Sequence, residues 1–193
     1  MTKTGKFSKD LEAAIAFHGH FCPGLLIGYR AAKIGLTRLG ARRSEDEELI
    51  AIVENNSCAA DAVQVLTGVT FGKGNLFFRD HGKQVFTFAL RPSGKAGTGE
   101  RGRAGTGERG RAVRVSLKAD AFASGSSREE RTERLLSASN DELFAIEEKT
   151  IDLPAAAEIR KSVICGSCGE PVMDTRARQV KGRVLCIPCA EKA

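Results

Sequence analysis

The sequence has no tryptophan, one tyrosine and three histidines among its 193 residues. It has no apolar run near the ~18 residues that a transmembrane helix needs, and its first ten residues lead into no apolar segment of a secretory signal. We therefore expect a cytoplasmic protein without a membrane segment. It also lacks a dinucleotide-binding fingerprint, a P-loop and cysteines at ferredoxin spacing, which argues against the common nucleotide and iron–sulfur sites.

The formal net charge of +6 is concentrated in two short regions. Residues 94–111 carry five basic and two acidic groups, and residues 160–193 carry seven basic and three acidic groups. The rest of the chain sums to −1. Two such patches attract anions or nucleic acid, whereas the main body of the protein is close to neutral.

The order of predicted elements indicates an α+β fold. A helix over 9–17 precedes a second helix that begins at Pro23, with Cys22 as its N-cap. The expected elements that follow are a buried strand at 49–55, a helix at 57–68 capped by Ser57, strands at 83–90 and 112–119, and one or two surface helices over 126–149. We expect helices packed on a mainly antiparallel sheet over 1–157, followed by a small domain over 158–193.

The eight residues AGTGERGR occur twice in succession, at 96–103 and 104–111. Their glycine and charge predict a flexible, solvated loop between two strands. An expanded hairpin loop is the simpler interpretation, and an RNA contact of the arginine–glycine type is the alternative.

Four cysteines near the carboxyl end form two CxxC pairs separated by seventeen residues: Cys165, Cys168, Cys186 and Cys189. Two such pairs supply the four thiolates that a closed tetrahedral zinc site uses. The intervening residues suit a hairpin that turns near Lys181–Gly182. A segment this small cannot build a hydrophobic core alone, so we expect zinc to hold it folded. Redox-active dithiols are the alternative.

The stretch HGHFC places His18, His20 and Cys22 at alternate positions. If these residues were extended, the three side chains would point the same way and converge on one transition metal. Cys22 and Cys58 both lie at predicted helix N-termini, where backbone N–H groups stabilise a thiolate. Asp61, one turn further on, suits a supporting carboxylate. The alternative is a set of ordinary loop histidines and buried structural cysteines.

Three ordered blocks carry a family resemblance: FHGHFCPGLLIGYRAA, ENNSCAADAVQVLTGVTFGKGNL and DHGKQVFTF. Across about residues 11–118 the chain resembles the FmdE family, which is named after formylmethanofuran dehydrogenase, and its tail resembles the treble-clef zinc finger that some members carry. The resemblance implies an α+β core, an intertwined homodimer and a cleft lined by the residues His18, His20, Cys22, Cys58, Asp61 and, more weakly, Lys73.

Three functions remain open at this stage. The first is a metal-binding accessory, metal-handling or sensing protein associated with a molybdenum or tungsten oxidoreductase, with Cys58 joining His18, His20 and Cys22 at a second metal. The second is a regulatory protein whose basic finger binds nucleic acid or a protein partner. The third is an enzyme with Cys22 as nucleophile and a histidine as base. We do not expect the chain alone to carry formylmethanofuran chemistry, because it shows no means of holding the cofactors.

Overall fold

The structure is a computed structural model that describes residues 7–92, 108–157 and 159–193. By its internal contacts the chain separates into two compact units, Met1–Ala157 and Glu158–Ala193. The helices of the first unit are α1 (Lys9–His18), α2 (Pro23–Leu39), α3 (Ala59–Thr67), α4 (Arg128–Ser137) and α5 (Asn140–Leu143). Its strands are β1 (Leu49–Val53), β2 (Leu76–Phe78), β3 (Val85–Leu90), β4 (Arg109–Leu117) and β5 (Phe144–Asp152).

The five strands of the first unit form one sheet in the order β2-β1-β3-β4-β5. Among the strand pairs of the described residues, only β1 with β2 is parallel, so the sheet is mainly antiparallel and the expected α+β class is confirmed. Helix α2 packs on α3 and across β3 and β4, and α1 packs on α3. Large apolar side chains fill the space between the helices and the sheet, among them Leu25, Leu26, Phe86 and Phe88.

Helix α2 begins as the sequence predicts. Pro23 takes the first turn, where its missing N–H costs nothing, and the Cys22 Sγ accepts the Leu25 N–H at 3.3 Å. Gly28 lies where α2 crosses α3, and a Cβ at this position would come within 2.1 Å of the Ala59 carbonyl oxygen. The absence of a side chain at Gly28 therefore sets how closely the two helices approach.

Two sequence-based assignments are wrong. Cys58, not Ser57, occupies the N-cap position of α3, because the Ser57 hydroxyl donates to Asn55 Oδ1 at 2.6 Å. The expected helical region ends at Leu143, and the next residues form β5, which pairs with β4 along its length. β5 is the outermost strand beside β4, and the charges that suggested a surface helix lie on this edge, where charged side chains are common.

The repeated AGTGERGR segment lies largely outside the described residues. Of its second copy, residues 109–111 form the start of β4 and pair with the end of β5. The prediction of a flexible loop is therefore wrong for residues 109–111, and for residues 96–107 it lies outside the described residues.

The described part of the second unit contains two hairpins, a 3-10 turn at Asp174–Arg176 and a short α-helix. Its elements are β6 (Ser162–Ile164), β7 (Pro171–Met173), β8 (Ala177–Val180), β9 (Arg183–Cys186) and α6 (Ile187–Ala190). β8 and β9 are joined by Lys181 and Gly182, both with positive φ, which is the two-residue turn expected between antiparallel strands. The predicted turn is confirmed.

Candidate metal centres

The histidine–cysteine cluster is created where α1 ends and α2 begins. His18 is the last residue of α1, and Gly19 ends the helix at φ 93° with its N–H donating to the Ile15 carbonyl. Left-handed backbone of this kind favours glycine. The expectation of an extended segment over 18–22 is therefore wrong. The side chains are brought together by the end of α1 and the left-handed backbone at Gly19, and not by the alternation of a strand.

The ligand atoms of His18, His20 and Cys22 all lie within 4.8 Å of one another. The His18 Nε2 is 3.8 Å from the Cys22 Sγ, and the centroids of the two imidazole rings are 4.5 Å apart. Cys22 is buried at 7% exposure, whereas His20 is exposed. The cluster thus has a sheltered side and a side open to solvent.

Asp61 orients the first imidazole. Its Oδ2 lies 2.7 Å from the His18 Nδ1, although the two residues are 43 positions apart in the chain. A carboxylate at this nitrogen favours the tautomer with the proton on Nδ1 and leaves the Nε2 lone pair free. Nε2 is the atom that faces Cys22. Asp61 therefore orients His18 so that Nε2 can bind a metal beside Cys22 or accept the proton of the Cys22 thiol.

Cys58 lies beside Cys22 at the start of α3. A Cβ placed on Gly24 would be 3.6 Å from the Cys58 Sγ and 3.9 Å from the Cys22 Sγ, so both thiols border the same space. Burial raises the pKa of the Cys58 thiol, and the neighbouring Cys22 adds to the effect. Cys58 is not among the atoms that converge within 4.8 Å, so the structure places it next to the donor set rather than in it.

A hydrogen-bond network that sequence reasoning missed fixes the start of α3. Asn55, 6% exposed, accepts the Ser57 N–H at 3.0 Å and donates to the Lys83 carbonyl at 2.5 Å. Gln84 Nε2 donates to the Ser57 hydroxyl at 3.2 Å. The signal was the ENNSC stretch, because asparagine side chains often bond the backbone two residues on. This network fixes Ser57, the residue before Cys58.

Lys73 lies at the opposite end of α3. Its Nζ donates to the carbonyls of Ser44 and Glu45 at 3.2 and 3.4 Å, and the Ser44 N–H bonds to the carbonyl of Thr67, the last residue of α3. A helix of this length spans about 13 Å. The structure therefore does not bring Lys73 to the cluster near Cys58.

The second unit gathers all four of its cysteines. Their sulfurs lie within 4.8 Å of one another, and those of Cys168 and Cys186 are 3.9 Å apart. Tetrahedral zinc–thiolate bonds of about 2.3 Å require a sulfur separation of about 3.8 Å. The Cys186 N–H donates to the Cys165 Sγ at 3.3 Å. Backbone N–H groups of Cys168, Cys186 and Ser167 lower the pKa of the Cys165 thiol to about 6, which favours the thiolate that zinc binds.

The basic residues of the finger have local partners. The Lys181 Nζ donates to the Ala193 carbonyl at 3.0 Å, and the Arg183 guanidinium donates to the Gly166 carbonyl. Arg176 and Arg178 are exposed, and each bonds the backbone carbonyl of the preceding residue. Part of the positive charge thus supports the finger itself.

An α+β core with a histidine–cysteine cluster, joined to a four-cysteine finger, defines a metal-binding protein. Residues 17–156 match the model of the family described as "FmdE, Molybdenum formylmethanofuran dehydrogenase operon", and residues 159–193 match the "Prokaryotic dksA/traR C4-type zinc finger". The chain belongs to the FmdE family and carries a C4-type zinc finger.

This chain is similar to a curated protein and to a protein of solved structure. A "Probable S-adenosyl-L-methionine-binding protein" of Archaeoglobus fulgidus is 31% identical over 200 residues, which cover 96% of this chain and 53% of that protein. The chain thus spans about half the length of this curated relative. The crystal structure of a "tungsten formylmethanofuran dehydrogenase subunit e (fmde)-like protein" from Syntrophus aciditrophicus superposes with a TM-score of 0.64 at 23% identity, covering 100% of this chain and 98% of that one.

Within the part of the chain that the structure describes, no helix is long and apolar enough to cross a membrane.

Proposed function

We propose that the core unit binds a second transition metal through His18, His20 and Cys22, and that the protein serves a molybdenum or tungsten oxidoreductase as an accessory, metal-handling or sensing partner. The observation that carries the proposal is the convergence of three ligand atoms within 4.8 Å on residues that belong to no other described cluster. Imidazole and thiolate together suit zinc, iron, nickel or copper.

The distance between His18 and Cys22 supports a shared metal. Bond lengths of about 2.0 Å to nitrogen and 2.3 Å to sulfur place tetrahedral ligands about 3.5 Å apart, close to the observed 3.8 Å. The carboxylate of Asp61 on the far side of His18 completes the arrangement in which a supporting acid orients a ligating imidazole.

The exposure of the cluster supports an exchangeable metal. Three protein donors leave at least one coordination position for water, substrate or a partner's ligand. His20 is exposed, and Asp61 retains 35% of its side-chain exposure. A metal bound there would supply Lewis acidity, and His18, His20 and Cys22 would hold it. We include a homodimer and a cytoplasmic location in this proposal.

One observation favours a second function, that of an enzyme with a cysteine nucleophile. Cys22, His18 and Asp61 lie in the order of a thiol, a base and the acid that orients the base. The 3.8 Å between sulfur and nitrogen is long for a thiol–imidazole hydrogen bond, so the metal site is the better-supported interpretation. Alkylation of Cys22 by iodoacetamide distinguishes the two, because a nucleophile reacts at the same rate with or without a chelator.

Metal stoichiometry tests the main proposal. We expect elemental analysis of the full chain to give two metals per chain, and His20→Ala to give one. The matched control is His81→Ala, which changes the remaining histidine, paired with Glu54 at 3.0 Å, and is expected to keep two. A wild-type protein that still holds a single metal after incubation with zinc, iron, nickel and copper would refute the core site.

A further inference from the structure

The two cysteines outside the finger lie at the first turns of two packed helices. Cys22 is the N-cap of α2 and Cys58 the N-cap of α3, and α2 packs against α3. Both sulfurs come within 4 Å of the point where Gly24 would carry a Cβ, and no side chain stands at that point. The fold therefore pairs two thiols from chain positions 36 residues apart.

The two thiols differ in their surroundings. The Cys22 Sγ accepts the Leu25 N–H at 3.3 Å, which stabilises negative charge on the sulfur. It also faces the His18 Nε2 at 3.8 Å, whose free lone pair can accept the thiol proton. Cys58 makes no capping hydrogen bond with its side chain and lies outside the three converging ligand atoms. It is also more exposed than Cys22. The Cys58 thiol thus neither caps a helix nor belongs to the three converging donors, and it is available for another role.

We propose that Cys22 and Cys58 are a peroxide-sensitive thiol pair that closes to a reversible disulfide. The Cys22 sulfur attacks hydrogen peroxide, the O–O bond breaks, and Cys22 becomes a sulfenic acid as one water leaves. The Cys58 sulfur then attacks the Cys22 sulfur, the S–OH bond breaks, and a second water leaves. Two thiols are oxidised, one peroxide is reduced, and both thiol protons end in water.

The disulfide would also control the proposed metal site. An oxidised Cys22 sulfur has no thiolate to offer, so oxidation removes one of the three donors. This consequence rests on the proposed function, whereas the thiol pair itself does not: it requires only that Cys22 and Cys58 be close.

Peptide mapping tests the pair in the full chain. After treatment with hydrogen peroxide and trypsin, we expect residues 10–30 linked to residues 44–73, with the combined mass lower by two hydrogen atoms. Dithiothreitol should separate the two peptides. The finger cysteines fall in other tryptic peptides, 162–176 and 184–192, so their oxidation is read separately.

The Cys58→Ser variant supplies the control. Its Cys22 sulfenic acid cannot be resolved, so labelling by dimedone should accumulate there and remain low in the wild type. Irreversible sulfinic acid on Cys22 with a free Cys58, or linkage of Cys22 only to finger cysteines, overturns the proposal. Protein stripped of metal with a chelator should give the same cross-link. The cross-link therefore tests the thiol pair even if the core does not bind a metal.

Discussion

A side chain at Gly28 should push α3 away from α2 and loosen the cluster. The Cβ of Gly28→Ala would lie 2.1 Å from the Ala59 carbonyl oxygen, whereas ordinary contacts begin at 3.4 Å. The obstacle is the backbone of α3, which cannot rotate aside, so the helices must separate by about 1.3 Å. Ala59 is the first residue of the helical turn that also carries Asp61, so the 2.7 Å contact of Asp61 with His18 should lengthen.

Two opposing effects set the magnitude of this change. Alanine is favoured over glycine in a helix by about 1 kcal/mol, whereas overpacking a well-packed contact costs about 1–3 kcal/mol or more. Because the clash is with backbone, the upper part of that range applies, and we expect a net loss of about 1–2 kcal/mol of unfolding free energy. For a domain of this size each kcal/mol lowers Tm by about 2–4 °C.

Thermal unfolding followed by circular dichroism measures the loss, and elemental analysis reports whether the core still retains metal. Gly72→Ala is the matched control, because nothing lies within 4 Å of its added Cβ and its φ is not positive. We expect this variant to match or slightly exceed the wild type. A Gly28→Ala protein with wild-type Tm and an unchanged cluster would refute the assignment of Gly28 as the spacer between the helices.

Three further predictions address the site and the fold. Asp61→Asn should weaken core metal binding about 10–100-fold by disturbing the orientation of His18. A competition titration against a chromophoric chelator measures this affinity, and the affinity of the finger for zinc should not change. Equal core affinities in the wild type and the variant would argue against this role of Asp61. Backbone N–H groups lower the pKa of the Cys165 thiol to about 6, so stabilisation by this thiolate is present above its unfolded pKa and is lost as pH falls through about 6. Because protons compete with zinc for the finger thiolates, zinc release measured with a chromophoric chelator should rise as pH falls, and release that does not change with pH would contradict this. Arg30 donates to the Leu135 and Ala138 carbonyls at 2.8 and 2.7 Å. Arg30→Met should therefore lower the free energy of unfolding in denaturant by about 1–3 kcal/mol. A loss no larger than that caused by replacing an exposed arginine would show that these bonds contribute little.

Local sequence signals predicted the elements that local interactions build. The start of α2 followed from Pro23, which placed the N-cap at Cys22, and the hairpin of the finger followed from its turn at Lys181–Gly182. The β5 strand was missed because charged residues after Leu143 suit a surface helix and an edge strand equally well. Pairing with β4 decides between them, and that pairing depends on residues about thirty positions away.

Part of the candidate site could likewise be predicted from the sequence, whereas the rest was determined by the tertiary structure. The spacing of the finger cysteines alone determined that site, because each CxxC knuckle is formed by consecutive residues and the metal joins the two. The sequence also identified His18, His20 and Cys22, although through the wrong backbone geometry. Only the tertiary structure placed Asp61 on His18, set Cys58 beside rather than within the donor set, and left Lys73 at the far end of α3. Contacts between distant positions are decided by how closely helices pack, here through Gly24 and Gly28, and that distance is a property of the folded chain.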